Sequence, residues 1–173
     1  MGKKIAILGP ECTGKTSLAS QLARHFEAIW VPEYARDYVA QLNRKYTYHD
    51  VEHIAQVQVK QIQSVDPNAS FVFFDTELII TQVWFEVVFG KQPTWLEEAI
   101  LQYRFDLYLL TDTAIPWEPD PVRENGGEMR EILFKKYEHY LQKYQFPYRI
   151  ITGLHQQRLH HAIHCIKQYF SLP

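Results

Sequence analysis

The chain has 173 residues, 46% hydrophobic and 22% charged, the make-up of one folded domain able to bury roughly 70% of its unfolded surface; disorder is not expected. A net charge of −2 gives no broad positive field, so nucleic acid is not an expected partner, and any phosphate must be held by local arrangement. Two cysteines, Cys12 and Cys165, cannot build a disulfide scaffold, no stretch nears the ~20 apolar residues of a membrane helix, and no signal-like leader is present; the expected setting is the cytoplasm, without membrane contact.

In chain order, the pattern opens with a short apolar strand at 4–8, a glycine-bearing turn, and a helix at 15–26 with Leu18, Leu22 and Phe26 on one face. A strand at 28–31 leads to helices at 33–43 and 49–65, the second stopped by Asp66-Pro67-Asn68. The third strand, 71–74, reads Phe71-Val72-Phe73-Phe74, continuously apolar as in a sheet covered on both faces. Helices follow at 77–89 and 94–103, then a strand at 107–110, a helix at 127–144, a strand at 149–151 and a last helix at 155–170. Apolar runs alternating with amphipathic stretches predict a three-layer α/β/α fold, one domain over 1–173, around a five-stranded parallel sheet. The loop from 111 to 127, with Pro116, Pro119, Pro121, Gly126 and Gly127, is too long for an ordinary strand-to-helix link, and a lid over about 112–130 is expected.

Gly9-Pro10-Glu11-Cys12-Thr13-Gly14-Lys15-Thr16 fits G-x-x-x-x-G-K-[ST] at every fixed position, with a strand before it and a helix after it. Glycines allow the backbone to curl so that successive N–H groups form an anion nest, and the helix adds its positive dipole end. Lys15 supplies an ammonium for the β- and γ-phosphates, and Thr16 a hydroxyl for Mg²⁺. The expected ligand is ATP with Mg²⁺, contacted by Gly9, Glu11, Cys12, Thr13, Gly14, Lys15, Thr16 and the adjoining Ser17. Cys12 is read either as a small residue tolerated in the loop or as a thiol of lowered pKa at a helix N-terminus.

Ligands of open α/β sheets bind outside the carboxyl ends of the strands, where two carboxylates are expected. Asp75, after the third strand, suits a metal-holding aspartate, a base near an acceptor hydroxyl, or a helix cap. Glu33, in Val31-Pro32-Glu33-Tyr34-Ala35-Arg36-Asp37-Tyr38, suits a proton acceptor or a dipole-complementing first helical turn. Order along the chain does not say which is the base. Tyr34, Arg36 and Asp37 fall beside the same crevice as substrate-binding candidates, with Tyr38, Tyr46 and Tyr48 as further walls.

Arg123 and Arg130 flank Gly126-Gly127, where a closing lid would bring guanidinium groups to a γ-phosphate. Trp117 either covers a bound ring or packs the lid against the body. Trp84 and Phe85 belong to the core. His155, His160, His161 and His164 lack an acidic partner at metal-site spacing and are read as a solvated helix face.

Together the loop 9–16, the stretch 31–38 and Phe73-Phe74-Asp75-Thr76-Glu77 closely resemble the ribosylnicotinamide kinase domain of bacterial NadR proteins, with Pro116-Trp117, Asp120 and Arg123 similar to its lid region. The resemblance spans nearly the whole chain, and Pro-Glu-Tyr-Ala-Arg is its most specific part. It implies a P-loop kinase fold with a helical lid, and phosphorylation of the 5′-hydroxyl of nicotinamide riboside, or of another nucleoside, by ATP. Two departures stand out. The His-x-Gly-His adenylyltransferase motif of NadR proteins is absent, and Cys12 stands where Ser is expected.

Overall fold

The computed structural model describes residues 2–118 and 125–173. The strands β1 (Lys3–Leu8), β2 (Ile29–Val31), β3 (Phe71–Asp75), β4 (Leu107–Thr111) and β5 (Tyr148–Ile151) form one parallel sheet in the order β2-β3-β1-β4-β5. The helices are α1 (Lys15–His25), α2 (Tyr34–Gln41), α3 (Tyr48–Gln63), α4 (Leu78–Trp84), α5 (Leu96–Gln102), α6 (Glu128–Lys143) and α7 (His155–Phe170). Every predicted strand and helix is present, with shifted ends. Helix α2 stops at Gln41, short of the expected 43, and α4 runs into a π-helical turn at Phe85–Phe89, ended by Gly90 at φ +64°.

Alternation along β1 sends side chains to both faces. Ile5 and Ile7, with Phe73, Leu107 and Leu109, pack against Leu18 and Leu22 of α1 and Ala162 and Ile166 of α7. Ala6 and Leu8, with Val72, Phe74, Tyr108 and Leu110, pack against α3, α4, α5 and α6. Each fully buried Leu, Ile or Phe adds about 1.5–3 kcal/mol. Two such cores on one sheet make the three layers that the sequence predicts. Phe85 is fully buried, as expected; Trp84 is only half-buried and meets Tyr46 edge-on at 4.8 Å.

Helix α3 starts at a capping box. The Thr47 hydroxyl accepts from the Asp50 N–H, and the Asp50 carboxylate accepts from the Thr47 N–H at 2.6 Å. Arg44 pairs with both Asp50 oxygens at 2.6 and 2.9 Å, and the Tyr38 hydroxyl donates to one of them at 2.9 Å, tying α2 to α3.

Strand order positions the site. β1 lies between β3 and β4, and the chain leaves it in opposite directions, opening a crevice outside the carboxyl ends of these strands. Register sets Ile7 beside Asp75 and Leu8 beside Leu110, so the loop after β1 emerges between Asp75 and Thr111. No helix among the described residues is long and apolar enough to cross a membrane. The described part of the lid region, residues 112–118 and 125–127, is loop, and α6 begins at Glu128.

Candidate active site

Residues 9–14 curl between β1 and α1 with three left-handed or near-extended turns of positive φ: Gly9 at +151°, Cys12 at +56° and Gly14, the N-cap of α1, at +75°. Glycine is required at 9. A Cβ there would lie 2.1 Å from Thr111 Oγ1, closer than real atoms approach. That neighbour is part of a brace: the buried Thr13 hydroxyl lies 2.6 Å from the Thr111 hydroxyl and 2.9 Å from Pro10 O, and the Thr111 hydroxyl lies 3.2 Å from Leu8 O, one of the two hydroxyls donating to the other and the second to its carbonyl. The Thr13 side chain therefore supports the loop from inside it. Lys15 Nζ donates to Pro10 O at 2.9 Å, keeping the ammonium on the loop. Thr16 and Ser17 are exposed on the first turn of α1, which carries no acidic residue to oppose an anion.

Asp75 ends β3 at 2% exposure, and both carboxylate oxygens are buried without a hydrogen-bond partner among the described residues. Burial raises its carboxyl above the ordinary value, against the opposing pull of the Thr16 hydroxyl, Lys15 and Arg36. The Thr16 hydroxyl faces the carboxylate without closing a bond of good geometry. Thr76, the next residue, holds φ +73°, a rare conformation for a β-branched side chain, fixed by its N–H donating to Ile7 O at 2.9 Å. Backbone strain of this kind collects at functional sites. Asp75 is not the cap of α4. That position belongs to Glu77, which accepts from the Ile79 N–H at 2.9 Å. Its other oxygen has no partner among the described residues, and burial pushes its carboxyl up to about 8.

Glu33 is partly buried at the N-cap of α2. Burial raises its carboxyl, Lys15 and Arg36 pull it down, and Asp75 and Glu11 push it further up. Lys15, Asp75, Arg36 and Glu11 thus lie within electrostatic reach of Glu33. Tyr34 sits beside it, its hydroxyl 3.1 Å from His53 Nε2 and its ring 5.7 Å from that of Tyr38, whereas Asp37 is exposed. Tyr48 is turned instead to the core, against Phe85 and Phe89.

This constellation is that of a P-loop nucleotide site. A family model described as AAA domain matches residues 4–158. The chain belongs to that family. This AAA-domain chain is 31% identical over 138 residues to the trifunctional NAD biosynthesis/regulator protein NadR of Salmonella typhimurium, an alignment covering 77% of the chain and 34% of the relative. Its fold matches NadR crystal structures in complex with NAD and AMP-PNP (TM-score 0.81, 24% identity) and with NR (TM-score 0.79, 23% identity). Each match covers 99% of this chain, and 50% and 52% of the respective NadR chains. The resemblance read from the motifs is borne out, while the AAA-domain chain spans only about a third of the length of its curated relative.

The lid side departs from expectation. Arg123 lies outside the described residues, as do Pro119, Asp120 and Pro121. Arg130 is buried, and its guanidinium donates to Ile115 O at 2.7 Å and Cys12 O at 3.3 Å. It therefore fastens Ile115 of the expected lid region to the phosphate loop. Glu11 accepts from the N–H and side chain of Asn125 at 3.0 and 3.1 Å. Cys12 Sγ donates to Pro116 O and accepts from the Glu118 N–H, both at 3.4 Å. The Trp117 ring lies against Gly126 within the lid region itself, where a Cβ would stand 3.1 Å from it.

Two residues at the site escaped the sequence reading. Arg158 of α7, buried at 2% exposure, reaches Thr13 O in the phosphate loop. Its signal was legible: a cation on the apolar face shared by Ala162, Cys165 and Ile166. Tyr137 of α6 is buried within the influence of Glu11, Glu33 and Glu77, whose charges join burial in raising its phenol. No spacing rule marks it.

The residues present fit a magnesium ion. Thr16 offers a hydroxyl beside a buried carboxylate, Asp75, whose oxygens have no hydrogen-bond partner among the described residues, and a hard cation takes oxygen ligands of this kind. Among the described residues no group of three or more His, Cys, Asp or Glu side chains forms a metal cage, so such an ion would draw its other ligands from nucleotide and water.

Proposed function

We propose that the chain is a kinase that transfers the γ-phosphoryl group of ATP to the 5′-hydroxyl of nicotinamide riboside, giving nicotinamide mononucleotide. The observation that carries this reading is the buried carboxylate of Asp75, without a hydrogen-bond partner among the described residues, beside Thr16 and Lys15, with the second carboxylate, Glu33, electrostatically coupled to it. A site that only sequestered a nucleotide would need no second acid coupled to the first. The NadR relative and the NadR structure solved with NR support the choice of acceptor.

In the proposed reaction the 5′-oxygen attacks Pγ, the bond from Pγ to the bridging β-oxygen breaks, and the hydroxyl proton passes to Glu33. Burial favours the protonated form of Glu33, which suits an acceptor of that proton. Lys15 and the loop amides stabilise the moving charge. Asp75 and Thr16 would hold Mg²⁺, which supplies neutralising charge at the phosphates when bound. The rings of Tyr34 and Tyr38 offer flat surface for the acceptor base, and the two carboxylates suit a nucleoside whose pyridinium ring is cationic. The lid contacts of Glu11, Cys12 and Arg130 would exclude water, which competes as acceptor.

Labelled ATP with a panel of nicotinamide riboside, deoxynucleosides and nucleoside monophosphates tests the reading. Labelled nicotinamide mononucleotide as the main product is expected. Transfer to another nucleoside with indifference to nicotinamide riboside would replace the acceptor, and slow hydrolysis with no phosphorylated small molecule would favour a nucleotide-dependent regulatory module.

A further inference from the structure

In a curled anion nest the amides turn inward and the carbonyls outward, and an outward carbonyl buried against protein needs a donor. Here the donors are two arginines distant in sequence. Arg130 serves Cys12 O and Arg158 serves Thr13 O. Arg158 does more: Nε donates to Gly153 O at 2.8 Å, and Nη2 pairs with the Asp112 carboxylate. One planar guanidinium thus joins the segments that follow β1, β4 and β5.

We propose that Arg158 is a positioning residue for the nucleotide site, clamping the carbonyl side of the phosphate loop to the ends of β4 and β5 so that the loop amides face inward before nucleotide arrives. The inference rests on the nucleotide-binding reading of the loop. An ion pair whose guanidinium is buried is a poor source of stability, since desolvating that charge offsets much of the attraction. Preorganisation of the loop accounts better for a charged fork behind it. Only arginine fits, because its donors are spread over a rigid plane; a lysine presents the same charge at one point and cannot span three acceptors.

Isothermal calorimetry with Mg·ATP on the full chain, combined with steady-state kinetics, tests this in wild type, Arg158→Lys and Asp112→Asn. Arg158→Lys is expected to weaken Mg·ATP binding about 10- to 100-fold, the scale of a site misplaced by a fraction of an ångström to one ångström, with the acceptor KM unchanged. Asp112→Asn, which keeps the two carbonyl bonds, should weaken it less. Methylguanidinium added to Arg158→Ala should recover ATP affinity. Arg158→Lys binding Mg·ATP as tightly as wild type overturns the inference, as does an equal loss toward ATP and acceptor. Should Arg158→Lys not fold, Asp112→Asn decides alone, an unchanged ATP affinity overturning the clamp. Wild type that binds no Mg·ATP would sink the nucleotide reading itself, and the clamp with it.

Discussion

Lys15 Nζ donates to Pro10 O at 2.9 Å, so the lysine side chain bends back along the loop that its own helix terminates. An ammonium held this way costs little reorganisation when a triphosphate arrives. Lys15→Ala should lower turnover at least ~100-fold, the scale of losing one preorganised transition-state donor. Fold retention is checked by circular dichroism and the rate by coupled assay; near-normal turnover would remove Lys15 from the mechanism.

Asp75 should trade stability for activity. Its carboxylate is buried without a partner among the described residues, and a buried polar group left unsatisfied costs about 1–3 kcal/mol. Asp75→Asn is expected to raise the Tm of the ligand-free protein by a few degrees, since about 1 kcal/mol moves a chain of this size by roughly 2–4 °C. The same variant should lose the Mg²⁺-dependent increase in nucleotide affinity. A lower Tm would show that the charge is better solvated than its burial implies.

Two carboxyls give stability opposite pH slopes. Asp50, bonded by Arg44, Thr47 and Tyr38, is held far below its ordinary 3.8. Its stabilisation is complete above that value and is lost as pH falls through the depressed one. Glu77 is raised from 4.5 to about 8 by burial, so its contribution is complete below 4.5 and lost as pH rises through 8. Thermal melts should find Glu77→Gln close to wild type near pH 4.5 and more stable than it above pH 8. Asp50→Asn should fall furthest below wild type near neutrality. Parallel wild-type and mutant curves would contradict both assignments.

Gly126→Ala puts a methyl group 3.1 Å from the Trp117 ring, whose indole N–H is buried without a partner among the described residues. The ring must shift, and Pro116 and Glu118, its neighbours in the chain, carry the contacts to Cys12. The expected outcome is a red-shifted tryptophan emission and faster protease cleavage in the lid region, with the Tm changed by only a few degrees. Unaltered emission would show that the lid absorbs the methyl group elsewhere.

Local chemistry made much of this protein legible in its sequence. The phosphate loop follows from glycine spacing, the five strands from short apolar runs, and the two acids from their place at the carboxyl ends of β2 and β3, because each depends on near neighbours in the chain. The tertiary structure alone decided what met the loop's outer side. The sequence marks Arg130 as a lid cation and Arg158 as a cation on an apolar helix face, but only the packing of α6 and α7 sets them against the carbonyls of Cys12 and Thr13. It likewise gave the α4 cap to Glu77 and left Asp75 without a hydrogen-bond partner among the described residues, through a turn at Thr76 that no propensity favours. The physical reason is distance along the chain: the Arg158–Thr13 contact spans 145 residues, and no local pattern encodes which buried carbonyl a remote guanidinium will satisfy.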